Sequence, residues 1–362
     1  MNLTQRRERL LVAVAGLILA TASVTRAEVR YSVTDLGIGE AFAVNSSGVA
    51  VGAYSGSALL YDRGMVANLD PLGPGGRGWA EDINDSGQIV GWSEYSPLGG
   101  RRAVLWGSGT VTALLSPNAY ESAACAINDH GQAVGYNWTT TEAGYPALWE
   151  DGAITNLNYR ISPPLIPSRL GWWLCTANAI NNAGQIAGQA TYDQLGAYLY
   201  ILQGDEAVFF VSLNGVIVED ISGTGQVVGY YVSQSGTGNP FGVLYSGGVL
   251  HNLGDWYPEG INSLGQVVGR MATPQGTHAC IYWNGIKEDL NSLIDPGAGW
   301  TLWDATDINE SGQIVGYGGY GAGPENAFLL TPIPEPATLS LLAAGLGAVW
   351  MGKRRATKGL RD

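Results

Sequence analysis

The sequence predicts an all-β fold: a β-propeller of seven four-stranded blades, with the N-terminal strand completing the last blade and a hydrophobic helix at the C-terminus. Three observations lead there. A nine-residue pattern, written "INDSGQIVG" at 83–91, recurs seven times. Its six intervals between Asn45 and Asn309 span 264 residues, a mean of 44, which is the length of one four-stranded blade at about 40–50 residues. The phase of the two ends is complementary: 31–37, "YSVTDLG", reads as the fourth strand of a unit, while the last unit stops after its third, "NAFLL". Pairing those two segments in one composite blade would close the ring and remove two exposed sheet edges. An open solenoid, or a ring of six or eight blades, is the alternative.

The repeated turn comes first within each unit. Asn45, Asn84, Asn128, Asn181, Asn262 and Asn309 start it, with Ser222 in the seventh copy. An asparagine side chain hydrogen-bonds backbone two residues on. Three residues later stands a glycine in every copy: Gly48, Gly87, Gly131, Gly184, Gly225, Gly265 and Gly312. That position needs the left-handed conformation that closes a short hairpin, with or without a bulge. A second glycine, Gly91 and its equivalents, falls inside the next strand, where it would permit close backbone approach. The third strands, such as "AVLWGSG" and "PALWEDG", end at glycine turns, and fourth strands such as "TVTAL" follow. The unit near 197–213 fits this grammar more loosely. Tryptophans ahead of the first strand (Trp79, Trp172, Trp300) and in the third (Trp106, Trp149, Trp283) are expected in the core between blades.

Both ends read as addresses. Residues 1–27 join a basic start, an apolar run and a small-residue cleavage site ending at Ala27, as in a cleaved signal peptide that directs export through Sec-type machinery; a retained anchor is the alternative. Residues 333–362 place Pro334, Glu335 and Pro336 before an apolar helix-forming run at 338–351. A basic tail with Lys353, Arg354 and Arg355 closes the chain. Such a run at about 1.5 Å per residue falls short of a bilayer core of roughly 30 Å, so transient membrane contact is expected rather than a permanent span.

This three-part end resembles the PEP-CTERM sorting signal of exopolysaccharide-producing Gram-negative bacteria. The resemblance implies an exosortase-like membrane protease as partner, and delivery to the cell surface, outer envelope or extracellular matrix. The repeat, "IN-x-x-GQ" followed by "A-[FV]-L-[WY]", resembles the HAF repeat of bacterial extracellular proteins. That likeness brings no catalytic residues with it. It departs from the pattern at Ser222.

The two terminal segments hold nine of the 18 Lys and Arg residues but three of the 31 Asp and Glu, leaving residues 28–332 with 9 basic, 28 acidic and a net charge of −19. Such a surface repels phosphate backbones, so nucleic acid is not an expected partner. Cys125, Cys175 and Cys280 show no metal-ligand spacing; one Cys125–Cys175 bridge is the pairing an oxidising compartment would allow. No metal site, cofactor or catalytic set is readable.

Four candidates for chemistry remain. Trp92, Tyr136, Tyr230 and Tyr317 follow the second glycine and could stack on sugar rings or pack between blades. Asp82, Asp220 and Asp307 recur two residues before the turn, as paired carboxylates for a glycosidase or lyase would, or as holders of turn backbone. The insert at 158–176, with Arg169, Trp172 and Trp173, and the loop at 230–242 break the symmetry; the insert is the expected contact surface, with an ordinary surface loop as the alternative. The reading is an exported, non-enzymatic surface or matrix protein, associated with exopolysaccharide. Its rivals are a polysaccharide-processing enzyme on the same scaffold and a calcium or small-ligand sensor in the central channel.

Overall fold

Among the described residues of a computed structural model, short β-branched and aromatic runs bounded by glycine turns form 28 strands, β1 to β28. The structure describes residues 30–95, 100–139, 144–159, 172–192, 197–204, 206–209, 215–231 and 240–333. Residues 32–331 form one compact unit, and 1–31 with 332–362 a second. The export segment with Ala27, the Pro334–Pro336 motif, the 338–351 helix and the tail with Lys353, Arg354 and Arg355 lie outside the described residues, as does Arg169. Trp172 and Trp173 begin the first strand of the fourth blade.

Seven antiparallel four-stranded sheets make the ring. Blade 1 holds β2 (Glu40–Val44), β3 (Ala50–Tyr54), β4 (Ser57–Asp62) and β5 (Met65–Asn68) in that order. Blades 2 to 6 repeat it at 78–113, 119–156, 172–209, 216–255 and 257–289. In blade 7, β26 (Trp300–Ile308), β27 (Ile314–Tyr320) and β28 (Glu325–Ile333) are joined by β1 (Arg30–Ile38) as outer strand. The complementary phase of the ends therefore closes the circle as the sequence predicts. Asn326 Nδ2 donates to Asp35 Oδ1 at 3.0 Å and Ser32 Oγ to the Thr331 carbonyl at 3.3 Å across that seam. The neighbouring core joins Leu36 of β1 and Val315 and Ala327 of blade 7 to Ala41, Val44, Leu59 and Tyr61 of blade 1.

Up-and-down order sorts the connections. Turns between first and second strands, and between third and fourth, emerge at one end of the ring. The second-to-third and blade-to-blade connections emerge at the other. Third-to-fourth hairpins close through residue pairs with positive φ at both positions, among them Arg63–Gly64, Ser108–Gly109, Asp151–Gly152 and Asn284–Gly285. This is the two-residue turn whose twist matches the flanking strands.

The cores lie between blades. Trp106 and Trp149 are buried there, and each indole N–H donates to a carbonyl of the connection entering its blade: Asp70 at 2.8 Å and Leu115 at 2.7 Å. Two expectations need correction. Trp79, Trp172 and Trp300 lie within their first strands rather than ahead of them, since those strands begin at Gly78, Trp172 and Trp300. Cys125 is a free thiol, so it forms no bridge to Cys175; Cys280 is free as well.

Candidate functional site

The repeated turn builds a ring around the axis. In "INDSGQ", the amide N–H of Gly87 donates to the Asn84 carbonyl at 3.0 Å, and Asn84 N–H donates to the Gln88 carbonyl at 3.0 Å. Gly87 has φ 76°, and its six equivalents fall between 73° and 80°. The Asn84 side chain then works in both directions. Its Oδ1 accepts from the Gln88 amide at 2.9 Å, while its Nδ2 donates to Gln88 Oε1 at 2.8 Å. The same Nδ2 donates to the Asn128 carbonyl of the next blade at 3.0 Å.

That last bond runs around the molecule. Asn45 reaches Asn84 at 3.3 Å, Asn128 reaches Asn181 at 3.1 Å, and Asn181 reaches Ser222 at 2.9 Å. Asn262 reaches Asn309 at 3.1 Å, and Asn309 returns to Asn45 at 2.9 Å. Ser222 is the break: its hydroxyl turns back to Thr224 and to the Gln226 amide, and sends nothing to Asn262. Beside the ring, Asp85 accepts from the Ser46 amide, Asp129 from Asp85, Asn182 from Asp129 and Glu310 from Ser263, all within 2.8 to 3.1 Å. Together these residues line an axial cup of about 210 Å³.

Below the cup a second axial cavity, of about 250 Å³, is lined by acids. The second glycine explains them. A Cβ on Gly91 would lie 2.0 Å from the Trp79 carbonyl oxygen, and one on Gly135 would lie 2.1 Å from that of Ala123. Such closeness leaves one residue of the first strand unpaired, in a bulge between Ala80 and Asp82 or between Ala124 and Ala126. Bulges re-aim a side chain, and here the unpaired residues, Glu81, Cys125, Asn178, Glu219 and Glu259 among them, line the axis.

The adjacent Asp82, Asp220 and Asp307 hold backbone. Asp82 accepts from Ile83 and, across the blade boundary, from Ile127, both at 2.7 Å. Asp220 accepts from Ile221 at 2.6 Å and Ile261 at 2.9 Å; Asp307 accepts from Ile308 at 2.7 Å and Val44 at 2.8 Å. Burial pushes the carboxyls of Asp82 and Asp220 up to about 6, against these amide bonds that lower them. Burial also raises Asp307 well above the carboxylate range, with Asp220 and Asp82 adding to the rise. It lifts Glu81 and Glu219 to about 7. Among the described residues no three His, Cys, Asp or Glu side chains converge as ligands for a metal ion.

The aromatics after the second glycine divide. Trp92 is buried and stacks on Trp79 of its own blade, with centroids 5.4 Å apart and planes at 11°, and Arg101 lies 4.2 Å above it. Tyr230 packs edge-on against Tyr257 of the next blade at 4.8 Å. Tyr136 contacts Trp138 at 5.5 Å and Tyr317 donates to Asp304 at 3.2 Å. The exposed aromatic rings are elsewhere. Tyr54, Tyr95, Tyr120, Trp138, Tyr159 and Tyr320 are, among the described residues, the aromatics open to solvent. All six lie at strand ends or connections of the face opposite the asparagine ring. The insert at 160–171 and the segment at 232–239 link strands that end on this same face: β13 (Ala153–Asn156) to β14 (Trp172–Ile180), and β19 (Val227–Tyr231) to β20 (Phe241–Ser246). Sequence reasoning missed this gathering, since it depends on which end of a strand each residue occupies.

No curated protein matches this sequence. Among solved structures, the chain is similar to the β-propeller domain of the Trilobed protease from Pyrococcus furiosus, whose topology is described as open velcro. The identity is 10%, coverage is 84% of this chain and 98% of that one, and the TM-score is 0.51. It is also similar to a puromycin-hydrolysing peptidase from Mycobacterium tuberculosis (14% identity, 80% and 48% coverage, TM-score 0.44) and to Trypanosoma rangeli sialidase (9%, 81% and 59%, 0.40). The first of these likenesses shows the fold. A family model, the PEP-CTERM protein-sorting motif, matches residues 332–355, outside the repeats. The chain therefore carries a sorting motif that marks it as an exported protein directed to the cell surface or beyond.

Proposed function

We propose that the protein is a non-enzymatic binding scaffold of the cell surface or extracellular matrix, anchored in an exopolysaccharide setting and holding its ligands on the irregular face of the propeller. An exosortase-like membrane protease would process its C-terminal motif after Sec-type export. The observation that carries this reading is the segregation of chemistry between the two ends of the ring. At one end the repeated polar side chains are engaged with backbone and with one another. At the other stand the exposed aromatic rings, the residue type that serves recognition when it is left solvated.

The same division argues against the glycosidase or lyase alternative. Both oxygens of Asp82, of Asp220 and of Asp307 accept backbone amides, one from the next residue of the same strand and one from the neighbouring blade. Using any of them as nucleophile or general acid would require breaking those ties. The test pairs fractionation with an activity assay. Deleting 332–355 is expected to leave the protein in the cell envelope fraction, while the intact chain reaches the surface or the medium. Incubating the intact protein with polysaccharide from the same cells is expected to yield a complex and no new reducing or unsaturated ends. Unchanged distribution, or released ends, would overturn the reading.

A further inference from the structure

Between blades 6 and 7 lies a cavity of about 430 Å³, within the size range of small-ligand pockets at roughly 300–1,000 Å³. It opens on the irregular face, at the hairpin joining β23 (Val267–Thr273) to β24 (Gly276–Trp283) and at the start of β26. The symmetry of the repeat fails here. Where four other units follow the second glycine with Trp92, Tyr136, Tyr230 and Tyr317, and two with Ala53 and Gln189, blade 6 alone has a charged residue, Arg270.

We infer that this cavity is a binding site for a neutral glycosyl unit, with Trp303 as its platform and Arg270 and His278 as its hydroxyl-reading groups. The inference rests on the reading of the chain as a surface binder, and names the ligand class and the place. Trp303 is partly exposed and lies over Gly319, where a Cβ would come within 2.9 Å of its ring. The glycine lets the indole lie flat against β27, as a stacking surface for an apolar sugar face requires.

Arg270 is held rigidly. Its Nη1 donates to both Glu259 and Asp304, and its guanidinium sits 4.6 Å from the centre of the Tyr257 ring. These contacts use one nitrogen and leave Nε and Nη2 as donors on a fixed fork. His278 Nδ1 is 2.7 Å from Asp289 Oδ2. In the neutral imidazole a carboxylate there holds the proton on Nδ1 and leaves Nε2 as an acceptor. The exposed hairpin adds the Thr277 hydroxyl and the Gln275 amide to the lining. Fixed donors, a fixed acceptor and groups that do both, set beside an aromatic ring, match a pyranose whose every hydroxyl gives one hydrogen bond and takes others. The charge argues for a neutral sugar over a uronate. Glu259 and Asp304 already balance Arg270, and the domain around them is strongly acidic.

The test is a printed array of neutral and uronate-bearing oligosaccharides probed with the purified full-length chain, followed by calorimetric titration of the retained probe. Retention of neutral glycans is expected. Affinity should fall roughly tenfold in His278→Gln and in the hairpin double variant Gln275→Ala/Thr277→Val, and be lost in Trp303→Ala. Circular dichroism checks that each variant is folded, and the hairpin variant lies on the surface, so the proposal stays testable even if Trp303→Ala does not fold. Trp138→Ala, on another blade, should bind as the parent does. No neutral glycan bound at about 10 mM, retention of uronates alone, or binding indifferent to the His278 and hairpin substitutions would overturn the site. Binding that maps here but releases new reducing ends keeps the site and overturns the non-enzymatic reading. Binding without turnover that maps to Trp138 does the reverse.

Discussion

Asn128 uses every hydrogen-bonding position an amide side chain has: Oδ1 accepts from the His130 and Gln132 amides, and Nδ2 is split between Gln132 and the next blade. No other side chain of that length combines donor and acceptor in this way, which is why serine or aspartate cannot replace it freely. Asn128→Asp removes the donor and sets a carboxylate against the Asn181 carbonyl; it is expected to cost about 2–4 kcal/mol in chemical denaturation. Ser222→Asn is expected to do the opposite. It would complete the one missing bond of the ring and raise stability by about 1 kcal/mol, readable as a higher denaturation midpoint with unchanged slope. Half of this was legible in the sequence. The spacing of Asn and Gly announced the local turn, and the structure bears that out. The bond to the next blade joins residues 39 to 53 apart in the chain, and 264 apart where the ring closes, and no local pattern encodes it. A signal was present nonetheless: Gln88, Gln132, Gln185, Gln266 and Gln313 stand four residues after an asparagine each time, a pairing that a simple turn does not need.

At the scale of the strand, the second glycine and the bulge opposite it are one device. Gly91, Gly188 and Gly269 each bring a first-strand carbonyl within 1.9 to 2.1 Å of where a Cβ would be, so Gly91→Ala is expected to cost about 3 kcal/mol. The bulges aim Glu81 and Glu219 at the axis, where burial raises both to about 7. An acid raised in the folded state binds protons more tightly there than when unfolded, near 4.5. The stability present below that pH is lost as pH climbs through about 7. The domain is therefore expected to be more stable at pH 5 than at pH 8, and Glu81→Gln/Glu219→Gln should flatten that slope by on the order of 1–3 kcal/mol. Thermal melts across that interval check it. In the sequence Asp82, Asp220 and Asp307 stand out as recurrent while Glu81 and Glu219 beside them are passed over, because a one-residue bulge reverses which way every side chain after it points.

The whole molecule is a ring whose two ends differ in kind. Its closure was the most legible global feature, because "YSVTDLG" and "NAFLL" are fragments of one periodic unit and the period tells which strand is missing. The inter-blade cavity beside Arg270 was not legible, since its lining is brought together from strands of two blades, between Arg270 and Tyr317 in the chain. Closure also places Glu40 of β2 next to Glu325 of β28, and burial with that neighbouring acid pushes Glu40 up to about 7. Loss of the N-terminal strand should expose the Leu36, Val44 and Val315 core and free the edge of β28. Leu36→Asp is accordingly expected to lower stability by about 3 kcal/mol and to promote self-association, visible in light scattering. The most direct measurement of the closed ring is native-state hydrogen exchange. The amides of 32–38 that pair with β28 should be as protected as those of 326–330 and open together with them. Exchange of 32–38 at the rate of free chain, while 326–330 stay protected, would contradict the ring.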